Sequence, residues 1–131
     1  MQLHYIANAS TPSSSGRTIP VIDPSDGQVF EEIQRGNAQD IDAAVHAARQ
    51  CYDAVWSKVS AADRGRLLMK LSVKVAAHAE ELAAIEQRDC GKPTKQAAAD
   101  SVALARYFEF YAGSCDKLHG ETLPYQNGYS V

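Results

Sequence analysis

The residues best suited to chemistry lie together in the short stretch RDCGKP, residues 88–93. It sets a thiol, Cys90, beside the carboxylate of Asp89 and two residues from the ammonium of Lys92. A cysteine that acts as a nucleophile must be a thiolate, which requires positive surroundings such as a helix N-terminus or neighbouring cations. Cys90 is instead predicted at a helix C-terminus, where the backbone dipole is negative, and no histidine is near in sequence. We therefore expect a structural role for this cysteine.

Asp89 is the strongest remaining candidate for a binding site. A carboxylate at the C-terminal end of a helix adds negative charge to the negative end of the backbone dipole. That arrangement is favourable if a cation lies among these oxygens, because hard cations bind carboxylates together with backbone carbonyls. Two interpretations of Asp89 stay open on the residues alone. It either holds a cation, or it accepts hydrogen bonds from the loop that follows the helix.

The other residue types with catalytic or ligating potential are scattered along the sequence. The histidines form neither an i, i+4 pair nor a zinc motif, and the glycines form no phosphate-binding loop. The cysteines are odd in number and lack a CxxC pair, which favours reduced thiols over a disulfide framework. The histidines are His4, His46, His78 and His119, and the two cysteines besides Cys90 are Cys51 and Cys115. No catalytic or dinucleotide-binding residue is therefore predicted in this sequence.

Composition points to an ordinary globular domain. The 131 residues are 45% hydrophobic and 22% charged, with a formal net charge of −3. Such values are typical of one folded domain and give no electrostatic reason to expect nucleic acid or an anionic membrane as a partner. No apolar run is long enough to cross a bilayer and no leader pattern is recognisable, so a cytoplasmic location is expected.

Residues 1–36 are predicted to form short strands and loops. LHYI (3–6) is a short apolar strand, and the turn-rich segment 8–17 is predicted as a loop. Segments 18–23 and 28–34 flank PSDG, in which the proline and the glycine suit a type I turn. We therefore predict that these two segments form a β-hairpin.

Residues 37–118 are predicted to form three helices. The first begins after Asn37, because an aspartate three residues later completes a capping box ahead of an apolar period of 3.6 residues. The second covers about 60–91 and is ended by a glycine followed by a proline. The third covers about 94–115.

Residues 119–131 are predicted to be the start of a further strand. The prediction depends on Tyr129 and Val131, which alternate after a glycine. Because a domain rarely ends on the opening residues of an unpaired strand, we expect the chain to be incomplete.

Five segments, taken together, resemble the aldehyde dehydrogenase superfamily. VIDPSDGQVFEEI is similar to its N-P-x-T-G-E segment, and DIDAAVHAARQCYDAVWS and AADRGRLLMKL are similar to its first two helices. EELAAIEQRDCGKP resembles E-L-A-x-x-E-x-x-D-x-G-K-P, and YFEFYAGSCDKLHGETLP resembles Y-Y-A-G-x-x-D-K-x-x-G-x-T-x-P. The order and spacing agree from about Tyr5 to Pro124. The sequence departs from the family pattern at a few positions. Asp23 stands where asparagine is usual, and the other departures are Asp26 and the pair Ser114 and Cys115.

The resemblance implies that residues 1–131 are the N-terminal part of the dinucleotide-binding domain of an α/β enzyme with a Rossmann-like sheet. The intact enzyme would oxidise a small aldehyde to a carboxylic acid with NAD or NADP, through a covalent cysteine intermediate, as a homodimer or tetramer. In the family the catalytic cysteine, the glutamate base and the dinucleotide-binding loop lie downstream of this segment. Two alternatives stay open: a stand-alone helical interaction module, and an inactive truncated remnant.

The resemblance also implies a site for a monovalent cation, K⁺ or Na⁺. In many family members the ligands are the aspartate of D-x-G-K-P and backbone carbonyls just before N-P. The corresponding residues here are Asp89, Ile22 and Val21.

Overall fold

The computed structural model of the protein describes residues 1–123 and 125–129. Two antiparallel ribbons, each of two strands, are followed by a layer of α-helices. The strands are β1 (His4–Ile6), β2 (Ala9–Thr11), β3 (Thr18–Ile22) and β4 (Val29–Gln34). The helices are α1 (Ala38–Ala54), α2 (Ala61–Ala77), α3 (Ala79–Cys90) and α4 (Thr94–Ser114), with a 3₁₀ turn at Trp56–Lys58. The predicted order of short strands followed by helices is confirmed.

The first ribbon contains a strand that the sequence did not predict. β2 lies inside the segment 8–17 that was expected to be a loop, and it pairs with β1 across a two-residue turn. Ala7 and Asn8 form this turn with φ of 52° and 64°. Positive φ at both central residues gives a turn whose twist matches the strands it joins, and asparagine tolerates that conformation well. Asn8 was therefore the residue from which this turn, and with it β2, could have been predicted.

The second ribbon is the predicted hairpin. Val21 pairs with Glu31 and Ile22 pairs with Val29, so that Phe30 is the extra residue of a bulge in β4. A bulge interrupts the ladder of hydrogen bonds and bends the strand that carries it. The bulge therefore lies beside the two backbone carbonyls that the sequence proposed as cation ligands.

The predicted capping box at the start of α1 is confirmed. The backbone N–H of Asp40 donates to Asn37 Oδ1 at 3.1 Å, and the backbone N–H of Asn37 donates to Asp40 Oδ2 at 3.1 Å. Each side chain satisfies a donor that the first turn of a helix leaves without a partner.

The prediction of a single helix over 60–91 is wrong, because α2 and α3 are separated at His78. His78 has ψ of 18°, and its N–H is shared between the carbonyls of Lys74 and Val75. A straight helix over this segment would be roughly 45 Å long, whereas α4 is only roughly 32 Å long. The break allows both α2 and α3 to lie against α4. Glu80 and Glu81 lie in the first turn of α3. Because acidic residues are favourable at the N-terminus of a helix, they were the sequence signal that a new helix begins here.

The helices pack through small residues. The buried apolar residues in the described part of the chain are all alanines: Ala83, Ala97, Ala105 and Ala112. Gly65 of α2 lies against the backbone of α4, where a β-carbon would be 2.6 Å from the carbonyl oxygen of Ala112. Val102, which follows the same helical spacing as Ala105 and Ala112, is 58% exposed.

The end of the chain has no strand within the residues that the structure describes. Residues 125–129 contain a turn in which the N–H of Tyr129 donates to the carbonyl of Gln126 at 3.0 Å. The strand start predicted at 119–131 is thus not formed at Tyr129, and Val131 lies outside the described residues. None of the helices within 1–123 and 125–129 is long and apolar enough to cross a membrane.

Candidate functional site

Asp89 lies where the sequence placed it, in the last turn of a helix. α3 ends at Cys90, and Gly91 caps it in the left-handed conformation with φ of 69°. The N–H of Gly91 donates to the carbonyl of Gln87 at 2.9 Å. Glycine adopts this conformation without the cost that a β-carbon imposes, so the glycine of the motif fixes the helix end.

The C-terminal turn of α3 meets the β3–β4 hairpin. A β-carbon on Gly91 would lie 3.0 Å from Cγ of Pro24, so the turn after β3 and the helix end are in close contact. Arg88 reaches across the junction. Its guanidinium carbon is 4.3 Å from the centroid of the Phe30 ring, and its Nε is 3.6 Å from Asp23 Oδ2. The helix end and the strand proposed to share a cation are therefore neighbours.

A cavity of about 630 Å³ lies between α3 and the hairpin. Val21 and Asp89 both line it, together with Phe30 and Arg88. Its other lining residues are Gln2, Glu31, Ile33, Glu81, Ala84 and Ile85. Ile22 is not among the lining residues, and it is 53% exposed. The structure thus brings together two of the three predicted ligands around one cavity.

The Asp89 carboxylate is the acidic group of this cavity that is available to a cation. Asp89 is exposed, and its carboxylate has neither a hydrogen bond nor an ion pair with any residue that the structure describes. Of the other two carboxylates that line the cavity, Glu31 pairs with the N-terminal ammonium of Met1, and Glu81 Oε2 lies 3.0 Å from His78 Nδ1. Within the described residues no three acidic, histidine or cysteine side chains converge closely enough to hold a metal ion. The residues of this cavity that could hold K⁺ or Na⁺ are Asp89, through its carboxylate, and Val21, through its backbone carbonyl.

Cys90 is exposed on the last turn of α3, and its Sγ donates to the carbonyl of Glu86 at 3.0 Å. Both cations two residues away in sequence are engaged elsewhere: Arg88 contacts Phe30 and Asp23, and the ammonium of Lys92 donates to Asp100 Oδ2 at 2.7 Å and also to Glu86. The bond to Asp100, followed by that to Glu86, raises the pKa of Lys92 above its ordinary value. The ammonium that could have activated the thiol thus joins α3 to α4, which supports a structural role for Cys90.

A second polar cluster, around Asp40, was not predicted from the sequence beyond its capping role. Asp40 Oδ2 accepts from Ser13 Oγ at 2.9 Å, and Oδ1 accepts from the N–H of Ser14 at 2.9 Å. The backbone bond from Ser14 is the largest cause that lowers the pKa of Asp40, to about 2, against the opposing effect of burial. The serine-rich loop before β3 is thus attached to the start of α1.

This cluster includes a serine, a histidine and an aspartate, but not in the order that makes a nucleophile. His4 Nε2 is 3.9 Å from Asp40 Oδ2, and in the described part of the chain it is buried without a hydrogen-bond partner. Ser13 Oγ lies 2.9 Å from Asp40 Oδ2 and 2.7 Å from the carbonyl of Arg35, so its proton is directed to acceptors other than the histidine. A nucleophilic serine needs the imidazole as its base. The cluster is therefore structural.

Comparisons with known proteins agree with the fold. Residues 11–131 match the model of a family described as the aldehyde dehydrogenase family. The chain is 43% identical over 121 residues to a mitochondrial aldehyde dehydrogenase, family 2 member B4, of Arabidopsis thaliana, covering 91% of this chain and 22% of that protein. It is 42% identical over 125 residues to aldehyde dehydrogenase [NAD(P)+] 2 of Saccharomyces cerevisiae, and the match covers 92% of this chain and 24% of the yeast protein.

Among solved structures, the chain is similar to a protein from Burkholderia cenocepacia assigned as an aldehyde dehydrogenase. The identity is 62% and the TM-score is 0.91, over 98% of this chain and 27% of that one. The chain therefore spans about a quarter of the length of the relatives it matches.

Proposed function

This chain belongs to the aldehyde dehydrogenase family, and we propose that it is the N-terminal portion of an enzyme that oxidises an aldehyde to a carboxylic acid. The observation that carries the proposal is that almost the whole chain matches one quarter of much longer aldehyde dehydrogenases, in sequence and in fold. The cofactor of the intact enzyme is NAD or NADP, since the similar yeast protein is named for both. The catalytic thiol and the dinucleotide-binding loop belong to the remainder of the polypeptide.

In this proposal the segment covers the dinucleotide-binding domain from outside. Large apolar side chains of α4 are exposed, among them Tyr107 at 64% and Phe110 at 68%. Exposure of so much contiguous apolar surface is unfavourable, because each Å² left in water costs on the order of 25 cal/mol. The remainder of the aldehyde dehydrogenase polypeptide is the partner we propose for this surface. The intact protein is proposed to be a homodimer or tetramer.

The same segment would hold a monovalent cation at the end of α3. Asp89, with the backbone carbonyls of Val21 and Ile22, would bind K⁺ or Na⁺. A bound cation would supply positive charge that offsets both the Asp89 carboxylate and the negative end of the α3 dipole. The proposed cation site is supported by the position of Asp89 and Val21, which line one cavity beside a bulge in the hairpin.

A cytoplasmic location is also proposed. All three cysteines are free thiols, and two of them are exposed. Exposed free thiols persist in a reducing compartment.

The exposed apolar surface also favours a second candidate, a stand-alone helical interaction module. The two candidates differ in what the purified segment does alone. A module folds cooperatively as a monomer, whereas a segment that lacks most of its domain is expected to bind hydrophobic dyes and to melt without a sharp transition.

The activity is tested on the complete polypeptide with aliphatic and aromatic aldehydes, by following the absorbance of NADH or NADPH. We expect aldehyde-dependent reduction of one of the two cofactors by the complete polypeptide, and none by residues 1–131 alone. The matched variant Cys90→Ser is expected to retain turnover within a few-fold, because this thiol donates to a backbone carbonyl and lacks an activating cation. Turnover by the segment alone, or its loss in Cys90→Ser, would contradict the proposal.

A further inference from the structure

We infer that Arg88 competes with the cation proposed at Asp89, and that the pair of Arg88 and Asp23 sets how strongly this protein responds to K⁺ or Na⁺. The inference rests on the proposed cation site and names the residues that regulate it. Arg88 and Asp23 are positioning residues here, since neither is proposed as a ligand.

The guanidinium of Arg88 is held on two sides. Its carbon lies 4.3 Å from the centroid of the Phe30 ring, within the range of a cation–π contact. Its Nε lies 3.6 Å from Asp23 Oδ2, and the Asp23 side chain is only 18% exposed. The positive charge thus lies between the bulge of β4 and the turn after β3, on a side chain that is 58% exposed.

Asp23 is held as an anion by its own turn. Its Oδ1 accepts from the hydroxyl of Ser25 at 2.6 Å and from the N–H of Ser25 at 2.9 Å. These two bonds lead the causes that lower the pKa of Asp23, and Arg88 adds to them. Asp23 therefore stays charged at neutral pH and keeps its attraction for the guanidinium.

Arg88 borders the cavity that a cation at Asp89 would enter. It lines the same cavity as Asp89 and Val21, and it lies in the last turn of α3, where a positive charge offsets the helix dipole. The other charged side chains that line this cavity already have partners: Glu31 pairs with the N-terminal ammonium of Met1, and Glu81 Oε2 lies 3.0 Å from His78 Nδ1. Lys92, in the next turn, is already neutralised by its two carboxylates. Arg88 is therefore the positive side chain that opposes a cation here.

Opposite effects are expected from the two members of the pair. Removal of the Arg88 charge takes away the positive side chain that lines the cavity together with Asp89, which should strengthen cation binding. Removal of the Asp23 charge releases the guanidinium from its anchor and leaves it free to approach Asp89, which should weaken cation binding. Loss of a merely structural contact would destabilise both variants without changing their preference for an ion.

The test uses the complete polypeptide and measures its melting temperature during a titration with KCl, with tetramethylammonium chloride keeping the ionic strength constant. Wild type is expected to be stabilised by K⁺, and Asp89→Asn is expected to lose that response. Arg88→Gln should reach half of the stabilisation at a K⁺ concentration roughly fivefold lower, since two unit charges about 4 Å apart in water interact by about 1 kcal/mol. Asp23→Asn should need a concentration several-fold higher.

Two controls separate charge from packing. Arg88→Lys keeps the positive charge and should stay close to the wild-type midpoint. Arg66→Gln removes an exposed arginine that pairs with Asp63 on α2 and should leave the midpoint unchanged. Asp23→Asn also keeps the inference testable if Arg88→Gln fails to fold, because asparagine has almost the same shape as aspartate.

The remaining outcomes distinguish an error in the inference about Arg88 from an error in the cation site itself. If Asp89→Asn abolishes the response but Arg88→Gln and Asp23→Asn keep the wild-type midpoint, or shift it in the same direction, the inference is wrong and the cation site stands. If wild type melts at the same temperature in K⁺, Na⁺ and tetramethylammonium, the cation site itself is wrong, and the inference falls with it.

Discussion

Around Asp40 the buried groups are polar and are joined by hydrogen bonds, whereas between α2 and α4 they are mainly glycine, serine and alanine in close contact. Asp40 joins three segments, since it accepts from the Ser13 hydroxyl, the Ser14 N–H and the Asn37 N–H. In the helical layer Gly65 approaches a backbone carbonyl, and Ser72 is the side chain that donates across the interface. The first region is specified by charge and hydrogen-bond geometry, and the second by the space available.

The difference predicts what each region tolerates. The stability of a cluster that depends on an ionised carboxylate falls when the carboxylate is protonated or replaced by a neutral amide. The cluster nevertheless has room for a side chain of the same shape. A helix contact at backbone distance responds to volume, and a single added methyl group is enough to force the helices apart. Three substitutions break or sharpen this contrast.

The largest effect is expected from Gly65→Ala. Its β-carbon would lie 2.6 Å from the carbonyl oxygen of Ala112, and backbone on both helices must shift to accept it. Overpacking of this kind costs about 2 kcal/mol or more of the free energy of unfolding, although alanine has the better helix propensity. Urea denaturation of the complete polypeptide measures the loss.

Gly113→Ala is the matched control, because it is a glycine of α4 with no atom within 4 Å of the added β-carbon. It is expected to be neutral or to stabilise by about 0.5 kcal/mol. Equal losses in both variants would show that glycine is needed for a reason other than the close approach of α2 and α4.

The next effect is the pH dependence that Asp40 contributes. Its pKa is lowered from 3.8 to about 2 in the folded state, so the unfolded chain takes up its proton first as the pH falls. The stabilisation is therefore complete above about pH 4 and is lost as the pH falls towards 2. Asp40→Asn should lower the melting temperature by several degrees at neutral pH and remove this part of the acid dependence.

The control for Asp40 is Asp42→Asn, since Asp42 is exposed on the same helix. It should keep both the neutral melting temperature and the acid dependence of wild type. If the two asparagine variants have the same profile between pH 2 and 4, the polar cluster does not depend on the charge of Asp40.

The smallest effect is expected from Ser72→Ala. The Ser72 hydroxyl donates to the carbonyl of Ala105 at 2.8 Å across the helix interface, and its loss should cost about 1 kcal/mol. Ser101→Ala is the comparison, because that hydroxyl donates within its own helix, to the carbonyl of Ala97 at 3.0 Å. Such a bond adds little to stability, so Ser101→Ala should be almost neutral. A larger loss for Ser101→Ala would contradict this assignment of the interface bond.

The sequence by itself determined the features that depend on residues close along the chain. The capping box of Asn37 and Asp40, the hairpin around Pro24 and the helix end at Gly91 were all predicted, and all are present. Each is decided by backbone conformation and hydrogen bonds within about four residues. For the same reason the place of Asp89, in the last turn of a helix, could be predicted, and with it a candidate site.

Only the tertiary structure decided which residues meet. The break at His78 carries no glycine or proline, and it is explained by the length of α4, against which both α2 and α3 must lie. Val102 has the spacing of a buried residue but is exposed, because the described part of α4 packs on its neighbours through alanines instead. Arg88 reads in the sequence as an ordinary surface charge. Its contact with Asp23 and Phe30 arises only when the end of α3 meets the hairpin, because a pairing between distant segments depends on the surface that folding places opposite each side chain.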